Sequence, residues 1–271
     1  MRIGVVGGGV IARLILEQVR QGALRDIEVA GLLGRTGNSR GKPLAEAFGV
    51  PFVTRLSDLV GLKPEVVVEA ASHDAVREYA APLLAAGISV VILSGGALVD
   101  DELRDRLERL AAEHRALLYL PSGGIGGLDA LKAVCAAGAQ EVEIAVTKPA
   151  AAWKGIPYVE RAGVDLDRLD GPATLFDGTA RDGVPHFPAN VNIAALLALA
   201  GIGFDRTRLR VVADPALRFN THYINIRGRT GSISIKIESV PSPENPKTAM
   251  LACYSALAAL KMLTSAVRYG T

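Results

Sequence analysis

The 271-residue sequence contains little cysteine, few aromatic residues and no long uninterrupted apolar run. Its two cysteines, Cys135 and Cys253, lie in apolar helical patterns, and we interpret them as buried thiols of a reducing compartment. Glycine, proline or charge breaks every apolar run well short of the roughly 20 residues that a membrane span needs. No Cys/His spacing predicts zinc. The composition therefore argues against a disulfide scaffold, a membrane-spanning protein and a zinc module.

An excess of one charge is also missing. The net charge is +2 and the basic residues are scattered, so we expect no nucleic-acid partner. The chain starts directly on the strand-like "RIGVVG", from which we expect no signal peptide and a cytoplasmic location. Hydrophobic residues make up 49%, which favours a globular protein over a disordered chain.

Strand and helix patterns alternate over the first 120 residues. Five continuous apolar runs predict strands buried on both faces: Ile3–Val6, Ile27–Leu33, Glu65–Ala70, Ser89–Leu93 and Ala116–Leu120. Amphipathic helical patterns separate them, which predicts right-handed crossovers and a parallel sheet. The expected fold class is therefore α/β, with a Rossmann-type dinucleotide-binding domain over residues 1–121.

The pattern changes after Pro121. The sequence predicts a strand at "EVEIAVT", a long loop to about Pro188, a helix through "NIAALLALAG" and three further strands, the last two joined at "GRTG". We expect a second α+β domain over 122–244, with a mostly antiparallel sheet, for substrate binding, catalysis and dimerisation. Residues 245–271 should form a helix that packs back toward the first domain. Open sheet edges need cover, which favours a homodimer.

The stretch "GVVGGGVIARLIL" predicts a cofactor cradle. Gly7, Gly9 and Ala12 fit G-x-G-x-x-A, in which the first glycine permits a tight turn, the second admits a pyrophosphate and the small third residue packs helix on strand. Val10 and Ile11 begin the helix, whose free N–H groups attract phosphate. The alternative is a turn with packing glycines, but a strand before the motif and a helix after it favour the cradle.

The ends of the next strands predict further cofactor contacts. The second strand ends Leu33–Gly34–Arg35–Thr36, without the acidic residue that usually holds the adenosine ribose. We predict that Arg35 stacks on adenine or meets a 2′-phosphate and that both NAD and NADP are used; the alternative is a solvated basic loop. Ala71 and His73 follow a later strand at the carboxyl edge of the sheet, where ligands bind in such folds.

Several later segments resemble those of L-aspartate dehydrogenases: "PSGGIGGLDA", "TKPAAAWKG", "FPANVNIAALLALAG", "DPALRFNTHYI" and "ENPKTAMLACYSALAAL". The resemblance implies NAD(P)-linked oxidative deamination of L-aspartate through iminoaspartate to oxaloacetate and ammonia, with a link to NAD biosynthesis. It also implies a cofactor contact at Gly124, where the family commonly has alanine.

The same resemblance implies the catalytic residue. Of the four histidines, His222 in "NTH" matches the family's catalytic histidine, and its neighbours Asn220 and Thr221 are expected at the substrate. A group that titrates near neutral pH suits this proton transfer. From the residues alone, a single histidine on an apolar strand face is more typical of a core.

Asn192 in "ANVN" matches a nicotinamide-side contact, and its neighbour Asn190 is the other candidate. The alternative role for these asparagines is helix capping.

The substrate carboxylates require cations or N–H donors. "ENPKT" offers both, because Asn245 and Pro246 suit a helix start and Lys247 and Thr248 follow it. Lys148 in "TKPAAAW" is the second candidate. The alternative for both lysines is an ordinary surface charge.

Two other functions compete with aspartate oxidation. One is another two-domain reductase, of the homoserine dehydrogenase or dihydrodipicolinate reductase type, against which "NTH" and "ENPKT" argue. The other is a non-catalytic module that senses NAD(P), which the set of motifs in the second half disfavours.

Overall fold

The computed structural model describes residues 1–36, 39–188, 190–242 and 249–269. The chain forms two compact units. The first contains Met1–Pro121 and Cys253–Arg268, and the second contains Ser122–Ala252 together with Tyr269. Each unit has its own sheet.

The sheet of the first unit has six parallel strands in the order β3-β2-β1-β4-β5-β6. The strands are β1 (Arg2–Val6), β2 (Glu28–Leu33), β3 (Phe52–Val53), β4 (Val66–Glu69), β5 (Ser89–Ile92) and β6 (Leu118–Tyr119). The strand order reverses between β1 and β4, the position where open α/β sheets bind ligands. The predicted α/β class with a Rossmann-type parallel sheet is confirmed.

Five helices connect these strands. They are α1 (Val10–Arg20), α2 (Gly41–Phe48), α3 (Leu56–Gly61), α4 (His73–Ala85) and α5 (Asp101–Glu113), with a 3-10 turn at Gly95–Val99. Ile15 of α1 packs in a core with Ile3 and Val5 of β1, and all three side chains are fully buried. The apolar spacing that predicted α1 is therefore the spacing of its buried face.

The second unit has a five-stranded mixed sheet in the order β11-β10-β7-β9-β8. The strands are β7 (Ala139–Lys148), β8 (Ala173–Thr179), β9 (Thr207–Ala213), β10 (Asn220–Gly228) and β11 (Gly231–Ser239). Only β7 and β9 pair in parallel, so the predicted, mostly antiparallel sheet is confirmed. Residues 229–230 join β10 to β11 as a hairpin at the predicted "GRTG".

One face of this second sheet is buried. Along β10, Ile224 and Ile226 point into the core while Tyr223 on the opposite face is 43% exposed. The unit also contains α6 (Leu128–Ala137), α7 (Pro157–Arg161), α8 (Ala180–Gly183) and α9 (Asn192–Ala200), with 3-10 turns at Ala150–Trp153 and Val184–His186.

Two strands were not predicted. The expected loop to about Pro188 is wrong, because β8 and the helices α7 and α8 lie within it. β8 pairs only with β9 at the sheet edge and is half-exposed, so it lacks the continuous apolar run of a central strand. β3 has two residues, too few for any periodic signal.

The last helix, α10 (Met250–Thr264), begins later than "ENPKT" predicted. Residues 243–248 lie outside the described part of the chain, and so do the candidates Asn245, Pro246, Lys247 and Thr248. Cys253, Leu257 and Leu260 join the core cluster of the first unit, whereas Leu251 and Tyr254 are exposed, so the apolar helix is not buried all round.

The cysteine prediction is half wrong. Cys253 is buried, but Cys135 on α6 is only half-buried because that helix lies at the surface of its unit. Neither cysteine forms a disulfide among the residues that the structure describes. Across the described ranges no helix has the length and apolarity of a membrane span, and no three His, Cys, Asp or Glu side chains gather as a metal site.

Candidate active site

The turn after β1 depends on close backbone contacts. Gly7 has φ +111°, and a Cβ there would lie 2.7 Å from the carbonyl oxygen of Ala70. A Cβ on Gly8 would lie 2.2 Å from the amide nitrogen of Gly41. Gly7 donates its N–H to the carbonyl oxygen of Leu33 at 2.9 Å. Only glycine fits both positions, and the need for glycine at position 8 was not predicted.

Gly9 differs from its neighbours because it faces open space. It is the N-cap of α1, and nothing lies within 4 Å of a Cβ built there. Val10 and Ile11 form the half-buried first turn of α1, and Ala12 is fully buried against the core. The turn therefore fits a dinucleotide pyrophosphate, which needs a close approach at Gly9 and free N–H groups at the helix start.

A groove of about 550 Å³, part of it open to solvent, lies beside this turn. Its walls come from the glycine turn, the end of β2, the loop after β4 and one side of α4. Its lining residues include Gly7, Gly8, Arg35, Ser39, Arg40, Ala71, Ser72, Glu78 and Tyr79. The groove thus lies where the strand order reverses.

The end of this groove beside β2 is basic and also contains an acid. Arg35 and Arg40 are exposed and line the groove with Glu78 and Tyr79 of α4. Burial and a hydrogen bond with Glu78 raise the pKa of Tyr79. Glu78 was not predicted, because the acid was expected at the end of β2, whereas this one comes from a helix.

The two candidates after β4 lie in different places. Ala71 is in the groove wall. His73 is half-buried in the first turn of α4, where Ser72 caps the helix by accepting the N–H of Ala75 at 3.2 Å.

His222 belongs to the second unit and is 2% exposed. It lies on β10, with Val146 of β7 and Ile237 of β11 as its cross-strand partners. Asn220 shares its face of the strand, because side chains alternate along a strand. A Cβ on Gly124 would lie 4.0 Å from Nε2 of His222, so the alanine common in the family would just contact the ring.

Lys148, at the end of β7, is 3% exposed, so the surface-charge alternative is wrong for this residue. Its Nζ donates to Oδ1 of Asn190 at 3.0 Å. The ammonium also lies 5.2 Å from the centre of the Trp153 ring, within range of a cation–π interaction. A buried cation with polar and aromatic support is suited to an anionic ligand.

The charge of Lys148 also acts on His222. Burial, followed by this nearby charge, lowers the pKa of His222 to about 3, although a backbone contact with Thr221 raises it. The histidine of the ligand-free chain is therefore neutral and does not titrate near neutrality as expected. Its buried Nδ1 has no hydrogen-bond partner among the residues that the structure describes.

The remaining polar candidates differ in how they lie relative to Lys148 and His222. Asn190 is buried beside Lys148, while Asn192 opens α9. The capping alternative is wrong for both, because the N-cap of α9 is Val191. Thr221 is buried, but strand alternation turns it to the face opposite His222, and its hydroxyl donates to the carbonyl oxygen of Phe219 at 3.4 Å.

The glycine-rich segment after Pro121 packs near His222. Gly123 has φ +61°, and a Cβ there would lie 3.6 Å from the Ile193 side chain on α9. Gly127, the N-cap of α6, has φ +77° and lies against Ile235 of β11. The glycines thus let this turn lie close to α9 and β11 in the second unit.

His114 is exposed, and His186 stacks on Tyr158 with ring centres 4.3 Å apart, so neither histidine lies with Lys148 and His222.

Comparisons with known proteins divide the chain at the same place. Residues 7–121 match the family model described as "Homoserine dehydrogenase, NAD binding domain", and residues 129–263 match "Aspartate dehydrogenase, C-terminal". The L-aspartate dehydrogenase of Methanosarcina mazei is 42% identical over 100% of both chains. L-aspartate dehydrogenase 2 of Bordetella pertussis is 41% identical over 96% of each.

Solved structures give the same result. The aspartate dehydrogenase of Thermotoga maritima matches with a TM-score of 0.75 and 27% identity, covering 100% of this chain and 99% of that one. A hyperthermophilic archaeal homoserine dehydrogenase in complex with NADPH has a TM-score of 0.60, covering 98% and 99%, but at 15% identity it shares the fold alone.

We predict that Gly9→Val abolishes dinucleotide binding without unfolding the chain, because the new side chain meets no protein atom but fills the space for the pyrophosphate. A fluorescence titration with NADH measures binding, and circular dichroism measures folding. Gly7→Ala is the contrasting variant, since its Cβ meets the Ala70 carbonyl and should lower the melting temperature as well. Unchanged NADH affinity in folded Gly9→Val would disprove the cradle.

We also predict that His222 makes stability depend on pH. Its folded pKa lies below the ordinary value, so only the unfolded chain takes up this proton as the pH falls from about 6.5 toward 3. The contribution is present above pH 6.5 and should shrink by about 2 kcal/mol at pH 5. Urea unfolding of wild type and His222→Gln should diverge across this range, with exposed His114→Gln following the wild type. Parallel curves for wild type and His222→Gln would contradict a buried neutral histidine.

Proposed function

The chain belongs to the L-aspartate dehydrogenase family, and we propose that it oxidises L-aspartate with NAD or NADP through the chemistry of Lys148 and His222. The observation that carries this proposal is the buried Lys148, which pairs with Asn190 and acts electrostatically on a neutral His222. The products are iminoaspartate and, after hydrolysis, oxaloacetate and ammonia.

Lys148 and Asn190 are proposed to bind one substrate carboxylate. The ammonium supplies a charge-assisted hydrogen bond, which is stronger in a site that excludes water. Asn190 already accepts from Lys148, and its amide nitrogen remains as a donor to the same anion. Trp153 beneath the ammonium limits where Lys148 can move. Asn220, on the same strand face as His222, is proposed to donate a further hydrogen bond to the substrate.

His222 is proposed to accept the proton that the substrate amine loses as hydride leaves Cα. A neutral imidazole can accept a proton. Its Nε2 lies beside Gly124, where glycine leaves open the space that the methyl group of an alanine would fill. A pKa of about 3 makes this base weak in the empty site. A bound carboxylate neutralises the charge of Lys148, so the proton affinity of His222 rises when substrate is present. After that proton has passed to solvent, the same nitrogen can accept a proton from the water that attacks the imine carbon.

The first unit is proposed to bind the dinucleotide with Gly7, Gly9 and the N-terminus of α1. The bound nicotinamide supplies the two-electron oxidant for the Cα–H bond. Arg35 and Arg40 favour a 2′-phosphate, while Glu78 in the same groove offers a carboxylate to ribose hydroxyls. This combination supports use of both NADP and NAD.

We also propose a compartment, an oligomeric state and a further use of iminoaspartate. Cys135 and Cys253 form no disulfide within the described part of the chain, which favours a reducing compartment such as the cytoplasm. The nine-residue β11 at the sheet edge, with exposed Leu251 and Tyr254, favours a homodimer. Iminoaspartate released before hydrolysis would be available to NAD biosynthesis.

The competing functions are less well supported. The homoserine dehydrogenase model covers only the nucleotide-binding half, which carries no substrate chemistry in this proposal. A purely sensing module would have no use for a buried lysine beside a neutral histidine in the other unit.

We predict measurable turnover with both cofactors. Arg35→Asp should shift kcat/KM toward NAD, because it replaces the proposed phosphate partner with a charge that repels phosphate. Steady-state kinetics with each cofactor, for wild type and variant, gives the ratio. A wild-type preference for NAD above about a thousandfold, roughly 4 kcal/mol, would contradict the role of Arg35.

We predict that His222 and Lys148 affect different kinetic constants. His222→Ala should lower kcat by about 10²–10⁴-fold with little loss of NADH affinity. Lys148→Met should chiefly raise KM for aspartate, by about thirtyfold or more, since it removes the carboxylate partner. Exposed Lys154, which pairs with Asp167, provides the matched Lys154→Met control with unchanged constants.

The assay should also compare amino acids. Reduction of cofactor by aspartate but not by glutamate or homoserine is the expected result. NADH binding without turnover of any amino acid would overturn the enzymatic proposal, and a fall in melting temperature with intact kcat in His222→Ala would assign His222 to the core.

A further inference from the structure

Glu69, the last residue of β4, is a buried carboxyl group with no part in the chemistry proposed above. Its exposed fraction is 3%, and burial raises its pKa, while hydrogen bonds from Ala71, Ser94 and Ser72 oppose that rise. Buried carboxyl groups are costly, so their partners show what they do.

The partners of Glu69 come from the loops that leave two neighbouring strands. Oε1 accepts the N–H groups of Ala71 at 2.8 Å and Ser72 at 2.9 Å, and the hydroxyl of Ser94 at 3.0 Å. Oε2 accepts the N–H of Ser94 at 3.0 Å. Glu69 thus joins the loop after β4 to the residue that precedes the 3-10 turn after β5. We call these four residues the Glu69 clasp.

The loop held by the clasp forms a wall of the cofactor groove. Ala71 and Ser72 line the groove opposite the glycine turn. The Cβ position of Gly7 lies 2.7 Å from the Ala70 oxygen and 3.2 Å from the Ala71 Cβ, so a small shift of this loop would move the cradle itself. Ser72 also caps α4, the helix that carries Glu78 and Tyr79.

We propose that Glu69 is a positioning residue for the dinucleotide: it holds the 70–72 wall at the spacing from the Gly7–Gly8 turn that the cofactor requires. Both loops leave the sheet at this point, and the strand ladder no longer binds their N–H groups. The two carboxylate oxygens replace the ladder, and an apolar residue would leave three backbone donors without this acceptor. The inference rests on cofactor binding and not on the identity of the substrate.

The test is cofactor binding by Glu69→Gln without substrate. A glutamine retains one acceptor oxygen and places an NH₂ group against an N–H donor at the other position, so the clasp opens on one side. We expect the Kd for NADH, from a fluorescence titration, to rise about tenfold or more, as for loss of a hydrogen bond to a charged acceptor. Leu107→Ala, a core change on α5, is the control: it should lower the melting temperature and leave the Kd unchanged.

Amide hydrogen exchange of the wild type provides a second test that needs no variant. Ala71 is an exposed residue, yet its N–H donates to buried Glu69, so it should exchange slowly in the cofactor-free protein. Exchange at the rate of an open loop would overturn the inference, and so would a Kd for Glu69→Gln within twofold of wild type. Absence of NADH binding in the wild type would overturn the cradle and the clasp together. Intact NADH binding without aspartate turnover would overturn only the proposal that L-aspartate is the substrate.

Discussion

The ammonium group of Lys148 lies almost entirely out of water, and the second unit is arranged around it. An uncompensated buried charge costs several kcal/mol, and two groups offset it: Asn190, which is 42 residues along the chain, and the ring of Trp153 in the turn that follows β7. The same charge, added to burial, keeps His222 neutral. A cation that attracts carboxylates and a base that can accept a proton are therefore two results of one arrangement. The empty site is electrostatically incomplete, and in the proposed reaction a substrate carboxylate supplies the missing charge.

The first unit is governed instead by how closely backbone segments approach each other. Gly7 lies so close to the Ala70 carbonyl, and Gly8 to the Gly41 amide, that neither position has room for a side chain. Around this contact the strand order reverses, and β1 and β4 present their carboxyl ends to one groove. Glu69 binds donors that the strand ladder leaves behind. Here the shape of the backbone, more than any single charge, makes a nucleotide site.

The two sites differ in how far the sequence predicted them. The cradle was predictable because Gly7, Gly9 and Ala12 act through local spacing. The burial of Lys148 was not, because its partner Asn190 is 42 residues away and lysine alone indicates a surface. Glu78 was missed because α4 brings it to the end of β2. β8 was missed because an edge strand has a weak apolar pattern, and Lys247 and Thr248 lie outside the described residues.

The single tryptophan of the chain gives this arrangement an optical consequence. Trp153 is fully buried, its indole N–H donates to the carbonyl oxygen of Val212 at 3.0 Å, and Phe187 packs edge-on against its ring. It is thus a rigid chromophore, and the ammonium of Lys148 lies 5.2 Å from the ring centre. Its emission is sensitive to the local electric field. The fold therefore contains its own spectroscopic sensor for the arrival of an anion, and this sensor needs neither a label nor turnover.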